Sequence, residues 1–184
     1  FMPIVTLTTD FGHKDYSVSV IKGALMQQIS DITIIDISHE IIPYNPSETA
    51  YILKNAFRSF PNGSIHIIGV ESEWTPENVH LVMEFEEHYF ICSDNGILSM
   101  IKEDFAATKI VEINIHGKIV SAFPVFDIFI NVAAHIARNG KLEVIGKSVN
   151  EIKELTDIKP VINKDKKNII LTEIKFISLG IFSK

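Results

Sequence analysis

From Ile4 to Thr9 nearly every residue is β-branched or apolar; the run then breaks at Asp10, and Val18, Ile21, Leu25 and Ile29 recur at helical spacing. The pattern predicts a strand, a loop and a helix. Two more apolar runs follow, one over 31–38 and one over 64–70 after the Asn62-Gly63 turn pair. Between them, 45–60 carries the periodicity of an amphipathic helix, with Ser47 as the expected N-cap. Strands that are apolar on both faces and alternate with helices indicate a parallel sheet covered on both sides.

The second half has a different rhythm. Residues 79–85 and 88–93 flank Glu86-Glu87 and predict an antiparallel pair, 108–115 predicts a further strand, and 127–140 a helix with Gly140 as its C′ glycine. Past Gly146 the pattern fades: 150–168 is polar and charged, and 169–184 is one last apolar run. A run that short cannot bury a core alone, so it packs on the main domain, pairs with another chain or begins a second domain. The expected fold class is α/β, a mostly parallel central sheet flanked by helices.

Composition narrows the partners. With 184 residues and 46% apolar content the chain can bury one sizeable core. Seventeen basic against 23 acidic residues, a net charge of −6, argue against nucleic acid and anionic membrane surfaces. The lone Cys92 has no disulfide partner, and no apolar stretch approaches membrane-spanning length. A cytoplasmic protein acting on a small molecule is the expectation. The seven histidines show no metal-ligand spacing, so no metal is expected, and His66 inside an apolar strand reads as a core histidine.

Candidate chemistry gathers at predicted strand ends, where open α/β sheets bind ligands. Asp10 ends the first strand, and its two carboxylate oxygens suit a vicinal diol such as a ribose. Asp15 and Ser17 stand at the next helix entry, where capping is the equal alternative. Asp36, His39 and Glu40 follow the second strand, Glu71 and Glu73 the third, and Asp94-Asn95-Gly96 the fifth, with Tyr44, Trp74 and Phe123 as available aromatic walls. The letters Asp10-Phe11-Gly12 also spell the kinase metal-binding tripeptide. Only nine residues precede them and the chain has no His-Arg-Asp loop, so the kinase reading fails on context; without a Walker A or GxGxxG, phosphate is not the obvious target.

In order, TLTTDFGHKDYSVSVIKGAL, IIDISHEIIPYNPSETAYIL, FPNGSIHIIGV, SDNGILS and DIFINVAAHIA resemble the S-adenosyl-L-methionine hydroxide adenosyltransferases, relatives of the fluorinase and chlorinase enzymes, over residues 4–146. The resemblance implies attack of water or hydroxide on the ribose C5′ of S-adenosylmethionine, releasing adenosine and methionine, with no cofactor beyond that substrate. By position, Asp10 would hold the ribose hydroxyls, Asp15 and Ser17 the methionine end, Tyr44 would wall the ribose, and Asn95 and Phe123 would line the pocket. Glu71 stands where the family's water-handling Asp belongs, whereas Asn78 and Pro124 fall at its Arg and His positions. His80 is the second candidate for a proton acceptor if its strand carries it inward. The resemblance also implies a homotrimer with sites between subunits, and divides the chain into an α/β domain over 2–150 and, over 151–184, a linker and the start of a truncated C-terminal β-domain. The alternative is a non-catalytic descendant that binds adenosine or S-adenosylmethionine, or serves as a scaffold.

Overall fold

The computed structural model describes residues 2–114 and 121–155. The apolar run at 169–184 and the expected C-terminal β-domain beyond residue 155 lie outside the described residues. Strand β1 (Ile4–Thr9) leads into helix α1 (Ser17–Gln28), then β2 (Thr33–Ser38), α2 (Pro46–Ala56) and β3 (Ile65–Gly69). The hairpin β4 (His80–Phe85) and β5 (His88–Ser93) follows, then α3 (Ile97–Lys102) and β6 (Lys109–Ile113). A π-helical turn at Val125–Phe129 runs into α4 (Ile130–Ala137), and α5 (Leu142–Ile145) and β7 (Gly146–Ser148) complete the elements.

Seven strands form one sheet in the order β2-β1-β3-β5-β4-β6-β7. Strands β2, β1, β3 and β5 are mutually parallel, with Val5 opposite Ile34 on one side and Ile65 on the other. Strands β4, β6 and β7 extend the sheet antiparallel. The α/β expectation therefore holds, with the parallel part forming the core of a mixed sheet.

Each face buries its own cluster. On one, Leu7, Ile67, Ile91 and Val111 meet Ile21 and Leu25 of α1, Phe129 of the π turn and Val132 of α4. On the other, Ile68, Met83 and Phe90 meet Leu53 of α2, Phe57 and Ile97 of α3. Each such large side chain removed from water contributes about 1.5–3 kcal/mol, so the periodic positions decide which way each helix lies. Edge strand β2 is half-exposed, and Asp36 on it pairs with Lys22 at 2.5 Å, a charge that blunts an otherwise open edge.

Two helix ends differ from expectation. The cap of α2 is Asn45, whose Oδ1 accepts the Glu48 N–H at 3.1 Å, because Pro46 occupies the first helical position and Ser47 already lies inside. At the end of α4 the left-handed residue is Asn139, φ 57°. Gly140 instead permits close packing, since a Cβ there would stand 2.2 Å from the His135 ring. Among the described residues no helix is long and apolar enough to cross a membrane.

Candidate functional site

The four parallel strands end on one side of the sheet, and their exit loops build the site. Asp10, Phe11, Pro43, Tyr44, Glu71, Ser72 and Glu73 line a cavity of about 270 Å³. These residues come from the loops after β1, β2 and β3. Four of the residues singled out by sequence, Asp10, Tyr44, Glu71 and Glu73, thus converge on one cavity.

Asp10 is half-buried, and that burial raises the pKa of its carboxyl; its own backbone N–H and that of Glu71 oppose the rise, while the charge of Glu73 adds to it. Tyr44 is 71% exposed, an aromatic face open to whatever enters. Both Tyr44 (φ 60°) and Glu71 (φ 46°) adopt left-handed backbone, which costs a side-chain-bearing residue about 1–3 kcal/mol and persists only where the surroundings enforce it.

For Glu71 the enforcing contacts are visible. The Asn78 amide donates to the carbonyls of Glu71 (3.1 Å) and Glu73 (3.0 Å), so both its hydrogens hold the acidic loop. His80 is buried and turned inward, its Nε2 2.8 Å from the Ser72 carbonyl, and burial lowers its pKa so that the ring stays neutral and donates. Asn95 is 2% exposed; its amide donates to the Val70 carbonyl at 2.9 Å and its Oδ1 accepts the Ile97 N–H at 3.3 Å. It ties the end of β5 to the residue before Glu71 rather than lining the cavity.

The remaining sequence candidates sit apart from the cavity lining. Asp15 accepts the Ser17 N–H at 2.8 Å, and this bond lowers the pKa of an exposed carboxyl; the N-cap of α1 itself is Tyr16, which makes no side-chain cap bond. Phe123 reaches the site through Phe11, edge to face with ring centres 5.4 Å apart, and stacks on Phe126. Cavity-lining Ser72 and Pro43 went unremarked in the sequence, because nothing in a run of loop letters reveals which of them bend toward a shared space. Glu73 was visible as a strand-end carboxylate. The three carboxylates in the lining, with no basic side chain among them, make the cavity attractive to a cation.

Comparison with known proteins places the chain in a family. The family model of the SAM hydroxide adenosyltransferase N-terminal domain matches residues 5–146. The (R)-S-adenosyl-L-methionine hydrolase of Methanocaldococcus jannaschii is 32% identical over 181 residues, which span 95% of this chain and 68% of that protein. The fluorinase of Actinopolyspora mzabensis is 21% identical, over 81% of this chain and 59% of its own length. The crystal structure of an uncharacterized conserved protein from Thermotoga maritima superposes with a TM-score of 0.77 at 31% identity, covering 87% of this chain and 63% of that one. The chain thus corresponds to between 59% and 68% of the length of these relatives.

Proposed function

Because the chain belongs to the SAM hydroxide adenosyltransferase family, we propose that it hydrolyses S-adenosyl-L-methionine to adenosine and L-methionine. Water or hydroxide attacks the ribose C5′, a C–O bond forms as the C–S bond breaks, and the bonding pair goes to sulfur, so that a sulfonium leaves as a neutral thioether. The carrying observation is the convergence of Asp10, Tyr44 and Glu71 from three separate loops on one cavity. Asp10 accepts from the ribose hydroxyls, Tyr44 covers the sugar, and Phe123 backs Phe11 beside the reacting carbon. Asp15 and Ser17 serve the methionine end. Glu71, fixed through its backbone, takes the proton of the attacking water. The sulfonium is itself an activated leaving group, so alignment and exclusion of bulk water supply much of the rest.

A second reading, binding without turnover, is favoured by Asn78. It stands where the family has a cation, and both its amide hydrogens are given to loop carbonyls. One assay separates the readings: chromatographic detection of adenosine and methionine after incubation with S-adenosyl-L-methionine. The hydrolase reading expects release above the buffer rate, cut about 10²–10⁴-fold in Glu71→Gln with substrate affinity nearly kept. No release above buffer, with retained affinity, leaves the binding reading. Wild-type rates in Glu71→Gln would keep the enzyme and remove Glu71 as its base.

A further inference from the structure

His39 is 1% exposed and grips the Asp10 loop at two points. Its Nδ1 lies 2.7 Å from the Oγ1 of Thr9, the residue before Asp10. Its carbonyl accepts the N–H of Gly12, two residues after Asp10, at 2.7 Å. Only Asp10 and Phe11 span the gap between these anchors. On its far side, Nε2 stands 3.0 Å from Asp36 Oδ1, off the ring's N–H axis, so that the attraction there is electrostatic. The other oxygen of Asp36 meets Lys22 of α1.

The tautomer with its hydrogen on Nε2, toward the Asp36 carboxylate, leaves Nδ1 to accept from the Thr9 hydroxyl, whose oxygen accepts the Phe11 N–H at 3.4 Å. A polar chain thus runs from Lys22 through Asp36, His39 and Thr9 to the loop backbone. The buried part of this chain is the Thr9–His39 pair, and breaking the bond between them would strand two enclosed polar groups, so it holds one geometry.

We propose that His39, held by Asp36, is a positioning residue that fixes the Asp10 carboxylate toward its ligand through Thr9 and Gly12. The inference rests on the reading of Asp10 as the acceptor of ribose hydroxyls. His39 itself is absent from the cavity lining and acts only through the loop.

The test measures adenosine affinity by calorimetry, and hydrogen exchange of the Phe11 and Gly12 amides in the free protein. Thr9→Val, nearly isosteric, and His39→Leu should each raise Kd about tenfold and speed that exchange. The double variant should lose no more than the worse single one, because both changes cut the same bond. His39→Asn places an acceptor near the Nδ1 position and should recover most of the affinity, a rescue that generic loosening of the fold would not give. If Asp10→Ala abolishes binding while Thr9→Val and His39→Leu bind as wild type, the inference is overturned and the reading of Asp10 survives. Unchanged affinity in Asp10→Ala overturns that reading instead. If His39→Leu does not fold, Thr9→Val and the exchange measurement decide; exchange equal to wild type in Thr9→Val overturns the proposal whether or not adenosine binds.

Discussion

At the scale of single residues, the protonation of Asp10 is the feature with the most direct consequence. Burial is the first cause of its raised pKa, and Glu73 contributes a smaller repulsion. Only the ionised form accepts from two hydroxyls, so adenosine affinity should fall as pH drops through that raised pKa. Glu73→Gln should move the fall to lower pH by removing a neighbouring charge. Calorimetry over a pH series checks both, and an identical fall in Asp10→Asn would assign the titration to another group. Stability carries the opposite sign. A carboxyl whose pKa is higher in the fold than in the unfolded chain is charged at the expense of the fold, so Asp10→Asn should melt no lower than wild type at neutral pH. A marked drop in melting temperature would mean that the carboxylate braces the Glu71 backbone more than burial penalises it.

At the scale of elements, the helices and strands were legible in the sequence where one residue period repeats, and the boundaries were not. Val18, Ile21 and Leu25 are buried on α1 because their spacing matches the helix, and Ile29, buried too, is its extended C-cap. Strands β1 and β3 are buried on both sides because helices cover both faces, with Thr6, Thr8 and His66 as the polar members of that burial. Asn45 displaced Ser47 as cap because Pro46 presets the first turn, and the three residues of β7 are too few to show a period. The site was legible to the same depth. Strand ends located the edge, yet whether a strand-end side chain faces ligand or interior depends on its partners. Asp10 turns to the cavity, whereas Asn95 turns inward to Val70 and Asp94 accepts the Lys153 N–H at 2.8 Å. Asn95→Ala therefore strands a buried carbonyl and an amide and should cost about 1–3 kcal/mol in urea unfolding. It should also slow any adenosine release, since the Val70 anchor precedes Glu71. Unaltered stability would show that the two loops hold their places without it.

At the scale of the molecule, stability in acid is set by histidines that the fold buries as neutral rings. His66 is wholly enclosed, bonded to Thr6 at 2.7 Å and to His88 at 3.1 Å, and stacked on Phe90; burial, with the neighbouring His88, pushes its pKa down to about 3. His80 and His88 are lowered too, first by burial. Above about pH 6.5 these rings are neutral in both states and contribute no pH dependence. Below it the unfolded chain takes up protons that the fold refuses, so stability falls with pH, by at most about 1.4 kcal/mol per unit for each such ring. Asp36 and Glu86, lowered by their partners, begin to act only near the ordinary carboxylate range, whereas Asp10 and Asp94, raised by burial, act with the opposite sign as they protonate. Comparison with His66→Leu cancels the carboxylates. That variant leaves Thr6 and His88 without their partner and should start less stable at neutral pH, yet lose less between about pH 7 and about pH 5 than wild type does. Urea midpoints at the two pH values measure the difference directly; equal slopes would mean that His66 accepts a proton in the folded state, against the dry aromatic enclosure formed by Phe57, Phe60 and Phe90.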